Sequence, residues 1–324
     1  MLIIEDWSET YSNVINQYWK FADDFSKDDG KNVLFLGLAT VSERNGIRYK
    51  EKYKHYQNKM RMNWEHPCSF QSPKIEDMLL SADSHHYFDK VFTQCPYTAE
   101  WLNNIQQREC FKALYPTPYN KNDIVYEKKE KIYDVLYWGG IHGQVHKDIL
   151  NVVKDFNYNF LTFGVPYWGI KDLNYQKYIT GINIPKRDMW SLIRETKINV
   201  MTNVLIVPSA AVENIKRIKN WEQNRAFSHL DYGIMPQIKG RPFESAINRC
   251  LMLVKRDPWN INEMWFEPDK EFLYYDNDDE LREMITEISS NWSNYEHIVD
   301  NAFDKAINSY TTEHWIKEVE KECV

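Results

Sequence analysis

The chain has no CxxC pair, and its five cysteines (Cys68, Cys95, Cys110, Cys250 and Cys323) are odd in number and widely spaced. That excludes a disulfide framework and a zinc site, and it predicts reduced thiols in a cytoplasmic setting. No stretch approaches the ~20 apolar residues of a membrane span, and the opening MLIIEDWSE lacks the basic region of a secretion signal. A soluble, intracellular protein is the expectation. Positive charge is not in excess either: 40 Lys and Arg stand against 47 Asp and Glu, a net charge of −7. A basic surface of the kind that coats nucleic acid is thereby excluded, so any such contact must come from a local patch. There is no fixed-period repeat, no low-complexity tract, no GxGxxG at dinucleotide spacing and no Walker loop.

What is present is ordinary globular composition at a length that suits two domains: 324 residues, 43% hydrophobic and 27% charged. Aromatics reach 15%, with 12 Trp and 21 Tyr. Rings in that number serve cores as well as sugar and base stacking. LIIEDW reads as a strand, Ser8 to Phe25 as a helix and NVLFLGLATV as a buried strand, the opening of a parallel α/β sheet. MRMNWEHP and DKVFTQCP read as further strands, and the polar run KNDIVYEKKEK near residue 130 as a domain boundary. The rhythm then restarts. YDVLYWGG, NFLTFGV, INVMTNVLIV and LMLV read as strands, and QVHKDILNVVKDF and KRDMWSLIRETK as helices. AAVENIKRIKNWEQN reads as a helical insertion, Asp278 as the cap of a helix with Leu281, Met284, Ile285 and Ile288 inward, and EHWIKEVEKE as a last helix. The expected division is residues 1–130, residues 131–305 and a C-terminal helix, 306–324, that returns to the first domain.

Two stretches carry candidate chemistry. In YWGGIHGQVHKD a strand enters Gly139–Gly140 and a helix starts near Gln144. Glycines there let backbone amides approach an anion such as a diphosphate, although a plain strand–helix turn also favours glycine. His142 and His146 lie four apart, a metal spacing, but no third ligand is evident. A donor contact by His142 fits better, with Gly143 beside it. In GRPFESAINRC, Arg241 offers a fork for phosphate and Glu244 two oxygens for paired ribose hydroxyls. The alternative is a surface ion pair worth under ~1 kcal/mol.

This second run resembles the R-x-F-E-a-x-a-x-G signature of GT-B glycosyltransferases, and most closely the spore-coat type within the retaining nucleotide-sugar group. The supporting pieces come in order: DVLYWGGIHGQVHKDIL resembles the phosphate loop of their C-terminal domain, SLIRETKINV the element before the donor motif, and FLYYDNDDELREMI their tail. The resemblance covers residues 85–320 loosely and 135–290 best. It implies two Rossmann-like domains facing across a cleft, and metal-independent transfer of a sugar from a nucleoside-diphosphate donor to a hydroxyl. No cofactor is implied. Gly139, Gly140, His142, Gly143, Lys197, Arg241, Glu244 and Ser245 would bind the donor. The pattern departs at Arg249, where the family has glycine, and at Pro236, where a second carboxylate would stand.

The acceptor would lie on the first domain, whose Glu65 or His66 could act as catalytic base or serve only as a loop residue. From Arg44 to Arg61, seven Lys and Arg stand against one Glu, with tyrosines interleaved. Arg48, Lys50, Lys52, Lys54, Lys59 and Arg61 would suit a phosphate-rich acceptor. Two acceptors stay open, a glycan or protein hydroxyl and a hydroxymethylated DNA base extruded from the duplex. A third reading is a degenerate module that only binds nucleotide or glycan.

Overall fold

A computed structural model describes residues 1–4, 25–36, 51–63, 88–97, 99–100, 103, 111–115, 119–140, 144–162, 173–217 and 220–323. The chain separates into two compact units, neither of them a single run of chain. Unit 1 comprises residues 1–119, 207–238 and 312–324, and unit 2 comprises 120–206 and 239–311. Among the described residues the helices with both ends placed are, in chain order, α1 (Gln144–Val153), α2 (Leu173–Gln176), α3 (Lys186–Arg194), α4 (Ser209–Lys216), α5 (Arg241–Ile247), α6 (Asp278–Ser290), α7 (Glu296–Ser309) and α8 (Thr312–Glu320). Among the described residues no helix is long and apolar enough to cross a membrane.

Unit 1 is built on a parallel sheet whose spatial order follows the chain: β1 (Leu2–Ile4), β2 (Asn32–Phe35), β3 (Asn58–Asn63), β4 (Lys90–Thr93) and β5 (Phe111–Ala113). Val33, Leu34, Met60, Val91 and Phe92 are fully buried, as strands covered on both faces require. The expected helix from Ser8 lies outside the described residues, apart from its last position. Helix α8 belongs to this unit. Its Trp315 is completely buried, the Thr312 amide donates to the Tyr119 carbonyl at 3.0 Å, and just beyond it Glu322 pairs with Lys90 at 3.0 Å. The stretch that contains α4 adds three 3-10 turns, one of them fastened by Asn224, which donates to the Tyr97 carbonyl at 3.1 Å.

Unit 2 carries a six-stranded parallel sheet made of β6 (Tyr133–Gly139), β7 (Tyr158–Thr162), β8 (Gly181–Ile182), β9 (Thr196–Met201), β12 (Leu251–Lys255) and β13 (Leu273–Tyr275). Two three-residue strands, β10 (Val204–Ile206) and β11 (Ile234–Pro236), lie between β9 and β12 in sequence. The spatial order is β13-β12-β9-β6-β7-β8. The chain thus runs outward from β6 to one side, returns to the other side at β9, and runs outward again. This reversal between β6 and β9 is a topological switch point, the place at whose carboxyl ends open α/β sheets bind ligands. Val135, Tyr137, Ile198, Val200, Leu251 and Leu253 bury one face against Ile149, Leu150 and Val153 of α1 and Leu281, Ile285 and Ile288 of α6. Asn199 is one residue out of phase and points to the other face, where its Nδ2 donates to Ser245 Oγ on α5 at 2.7 Å.

Three sequence expectations shift. INVMTNVLIV is not one strand, because it breaks at Thr202–Asn203 between β9 and β10. The cap of α6 is Asn277, whose side chain accepts from the Glu280 amide at 3.0 Å, so Asp278 becomes the first helical residue. The basic stretch is not one solvated face: Arg61 is 1% exposed in β3, with its guanidinium 5.8 Å from the Phe88 ring centre.

Candidate functional site

Strand β6 ends at Gly139, whose φ of +144° suits glycine far better than any residue with a side chain. A Cβ built there would stand 2.6 Å from Arg241 Cζ. The glycine is therefore a passage. Through it Arg241, the first residue of α5, lays its guanidinium across the strand end, 5.2 Å from the Tyr137 ring centre and 5.8 Å from that of Trp138. Arg241 is 6% exposed, and among the described residues its Nη1 has no hydrogen-bond partner. A buried charged donor in that condition costs about 1–3 kcal/mol or more until an acceptor arrives.

Helix α5 is held by its sequence. Phe243 is fully buried and meets Trp265, Phe266 and Tyr310 edge-on, with ring centres 5.2–5.5 Å away. Ser245 ties the helix to β9 through Asn199. Asn248 Nδ2 donates to the Glu244 carbonyl at 2.8 Å, and Arg194 holds Asn248 in turn at 2.9 Å. Glu244, in the first turn, is 3% exposed, so a surface pair with Arg241 does not describe it.

Two lysines that sequence reasoning missed join these groups. Lys239 donates to the Thr202 carbonyl, just past β9, at 2.5 Å. Burial, and then the Arg241 charge, hold its ammonium well below the usual lysine range. Lys186 opens α3 and is 9% exposed, its Nζ 4.3 Å from the Trp190 ring centre. Burial pushes its titration down, while Glu244 and Asp123 draw it back up. Neither lysine sits in a motif, and residue type alone does not distinguish a buried lysine from a solvated one. The only hint was Lys239 lying two residues before Arg241. Basic side chains beside one carboxylate at a topological switch point can hold an anion that also bears hydroxyl donors.

The other expected residues fall into three groups. Gly140 joins the site, its carbonyl accepting from Tyr137 Oη at 3.0 Å. Lys197 does not: as the second residue of β9 it lies at the opposite end of the sheet, bonded to Asp134 and to the Ser289 carbonyl, each at 2.9 Å. His146 packs inward against Tyr137 with ring centres 5.6 Å apart, and among the described residues no cluster of His, Cys, Asp or Glu could hold a metal ion. His142, Gly143, Glu65, His66, Arg48 and Lys50 lie outside the described residues. In unit 1, Lys52 sits 5.0 Å from the Tyr53 ring centre, Lys54 is exposed, and Lys59 is committed to Asp89 at 3.2 Å. Arg61, being buried, is withdrawn from any acceptor surface.

The fold is shared with solved structures that differ widely from this chain in sequence. The crystal structure of TarM, a Staphylococcus aureus protein, aligns with a TM-score of 0.57 at 11% identity, over 90% of this chain and 54% of that one. HepE from Anabaena, solved with UDP and glucose, gives 0.56 at 8% identity over 89% and 77%. A glycosyltransferase from Rickettsia africae gives 0.56 at 9% identity over 99% and 97%. The chain spans about half the length of TarM. No curated protein matches it in sequence. These likenesses and the two parallel-sheet units give the GT-B fold. A family model for glycosyl transferase-like proteins matches residues 146–321, more than half of the chain and the whole of α5 with it, and the chain belongs to that family.

Proposed function

We propose that the chain transfers a sugar from a uridine-diphosphate sugar to a hydroxyl of a glycan or protein, with unit 2 holding the donor. The reading rests on one observation. Arg241 lies against Gly139 at the end of β6, Lys239 bonds the Thr202 carbonyl just past β9 and Glu244 stands in the first turn of the helix that Arg241 opens, with a guanidinium nitrogen of Arg241 lacking a partner among the described residues. The diphosphate would lie against Arg241 and Lys239, and the ribose hydroxyls would donate to Glu244. In the reaction the bond from the anomeric carbon to the diphosphate oxygen breaks, and the acceptor oxygen bonds to that carbon. The acceptor proton passes to a base, Glu65 or His66 on the sequence reading, and UDP departs with the electron pair. Lys239 and Arg241 stabilise the charge that develops on the leaving oxygen, the service a metal performs elsewhere, so transfer is expected to persist in chelator. HepE, a structural neighbour, was solved with UDP and glucose, which guides the choice of nucleotide. Burial of Arg61 and pairing of Lys59 weaken the basic stretch as a contact for DNA.

Calorimetric titration with UDP, GDP, CDP and their sugars tests the reading. UDP should bind, and Glu244→Ala should weaken it by roughly 10-fold or more, as loss of a charge-assisted contact does. Equal affinity in the variant would remove Glu244 from the donor site.

A further inference from the structure

Tyr137 has no role in the reading above, yet three features meet on it. Its ring is fully buried and stacked on Phe160, with centres 4.6 Å apart and planes within 22°. That fixes the direction of the phenol. The Oη reaches forward along its own strand, past Trp138 and Gly139, and donates to the Gly140 carbonyl at 3.0 Å. The Arg241 guanidinium lies 5.2 Å from the centre of the same ring. The glycine turn and the arginine come from segments about a hundred residues apart in sequence. They touch through a position where a side chain on Gly139 would collide with the guanidinium. Tyr137 contacts both.

We infer that Tyr137 is a positioning residue for the diphosphate: its hydroxyl sets the Gly139–Gly140 turn while its ring aims Arg241, so that amides and guanidinium converge on one anion. The inference rests on the donor reading given above. A turn released by loss of the hydroxyl would let Gly140 reorient, and the arginine would lose part of its fixed approach. Affinity would fall because the site must be ordered anew each time it fills. The ring and its stack are untouched by Tyr137→Phe, so the fold is expected to survive.

The test is UDP titration of four proteins: the parent, Tyr137→Phe, Arg241→Gln and the double variant, each with a melting curve. Tyr137→Phe should weaken UDP about 10-fold, the equivalent of one net hydrogen bond of ~1.4 kcal/mol. The donor KM should rise by a similar factor while kcat changes less. The double variant should bind about as weakly as Arg241→Gln alone, because the two residues act as a unit. Parent-like affinity in Tyr137→Phe, or losses in the double variant that simply multiply, would overturn the inference. A lower melting temperature with unchanged affinity would also overturn it, since that is the mark of a merely structural ring. Parent-like binding by Arg241→Gln would instead bring down the donor reading itself.

Discussion

Arg249 occupies a backbone conformation that costs an ordinary residue roughly 1–2 kcal/mol. Its φ is +53°, in the left-handed region. The reason is the end of α5: the Arg249 amide donates to the Ala246 carbonyl at 3.1 Å and the Cys250 amide to the Ser245 carbonyl at 2.9 Å. That is a Schellman closure, whose turning position belongs by preference to glycine. The family signature places glycine there, and the geometry explains why. Arginine offsets the strain with its side chain, which pairs with Asp300 and lies 3.6 Å from the Phe303 ring centre. Arg249→Ala keeps the strain and loses both contacts, so it should destabilise the fold by about 1–3 kcal/mol. Arg249→Gly loses the same contacts but relieves the backbone, and should melt above the alanine variant by the equivalent of about 1 kcal/mol. Identical melting of the two would mean that the left-handed turn carries no cost.

Short elements are tuned by turns that the sequence shows only as polar runs. KDDGK leads into β2 through Asp29, whose Oδ1 accepts from the Lys31 and Asn32 amides, each at 2.8 Å, and whose Oδ2 accepts from Asn32 Nδ2 at 2.8 Å. Burial works against this carboxylate, yet those amides hold its titration well below the usual range. A depressed folded pKa stabilises the fold above the ordinary carboxylate range. That stability is lost as pH falls, because the unfolded chain takes the proton first. Asp29→Ala should therefore lower unit 1's stability at neutral pH and differ less from the parent near pH 3. A gap that is constant with pH would show that charge is not the means. The same scale explains which elements could be read. α1, β6 and α6 have long, regular apolar patterns and lie within a few residues of where periodicity puts them. The break in INVMTNVLIV could not be read, since the residues on either side are mostly apolar or β-branched. What breaks it is Thr202–Asn203, where Lys239 claims the Thr202 carbonyl from a distant segment. The cap of α6 slid by one residue because Asn277 and Asp278 are both good caps, and only the backbone distinguishes them.

For the whole molecule, the proposed donor site draws on four separated stretches, at residues 137–140, 186, 202 and 239–245. The glycine stretch and the run from Arg241 to Ser245 were legible as motifs, because the residues of each are neighbours in sequence. Lys186, Tyr137 and Lys239 are brought to the proposed site by strand order, which no local pattern encodes. If UDP occupies the switch point, hydrogen exchange should slow around Gly139–Gly140, Thr202–Asn203 and residues 239–248 of unit 2, with saturating ligand adding about 2.7 kcal/mol at 100 times Kd. Protection confined to unit 1 would relocate the nucleotide. The division of the chain has its own bearing on synthesis. Unit 1 opens the chain, but it lacks α8 until residues 312–323 have been made, and the buried Trp315 is among the last of its parts to arrive. A ribosome delivers the N-terminal parts first. The strands β1 to β5 must therefore wait, partly uncovered, while all of unit 2 is translated, so the first unit begun is the last completed.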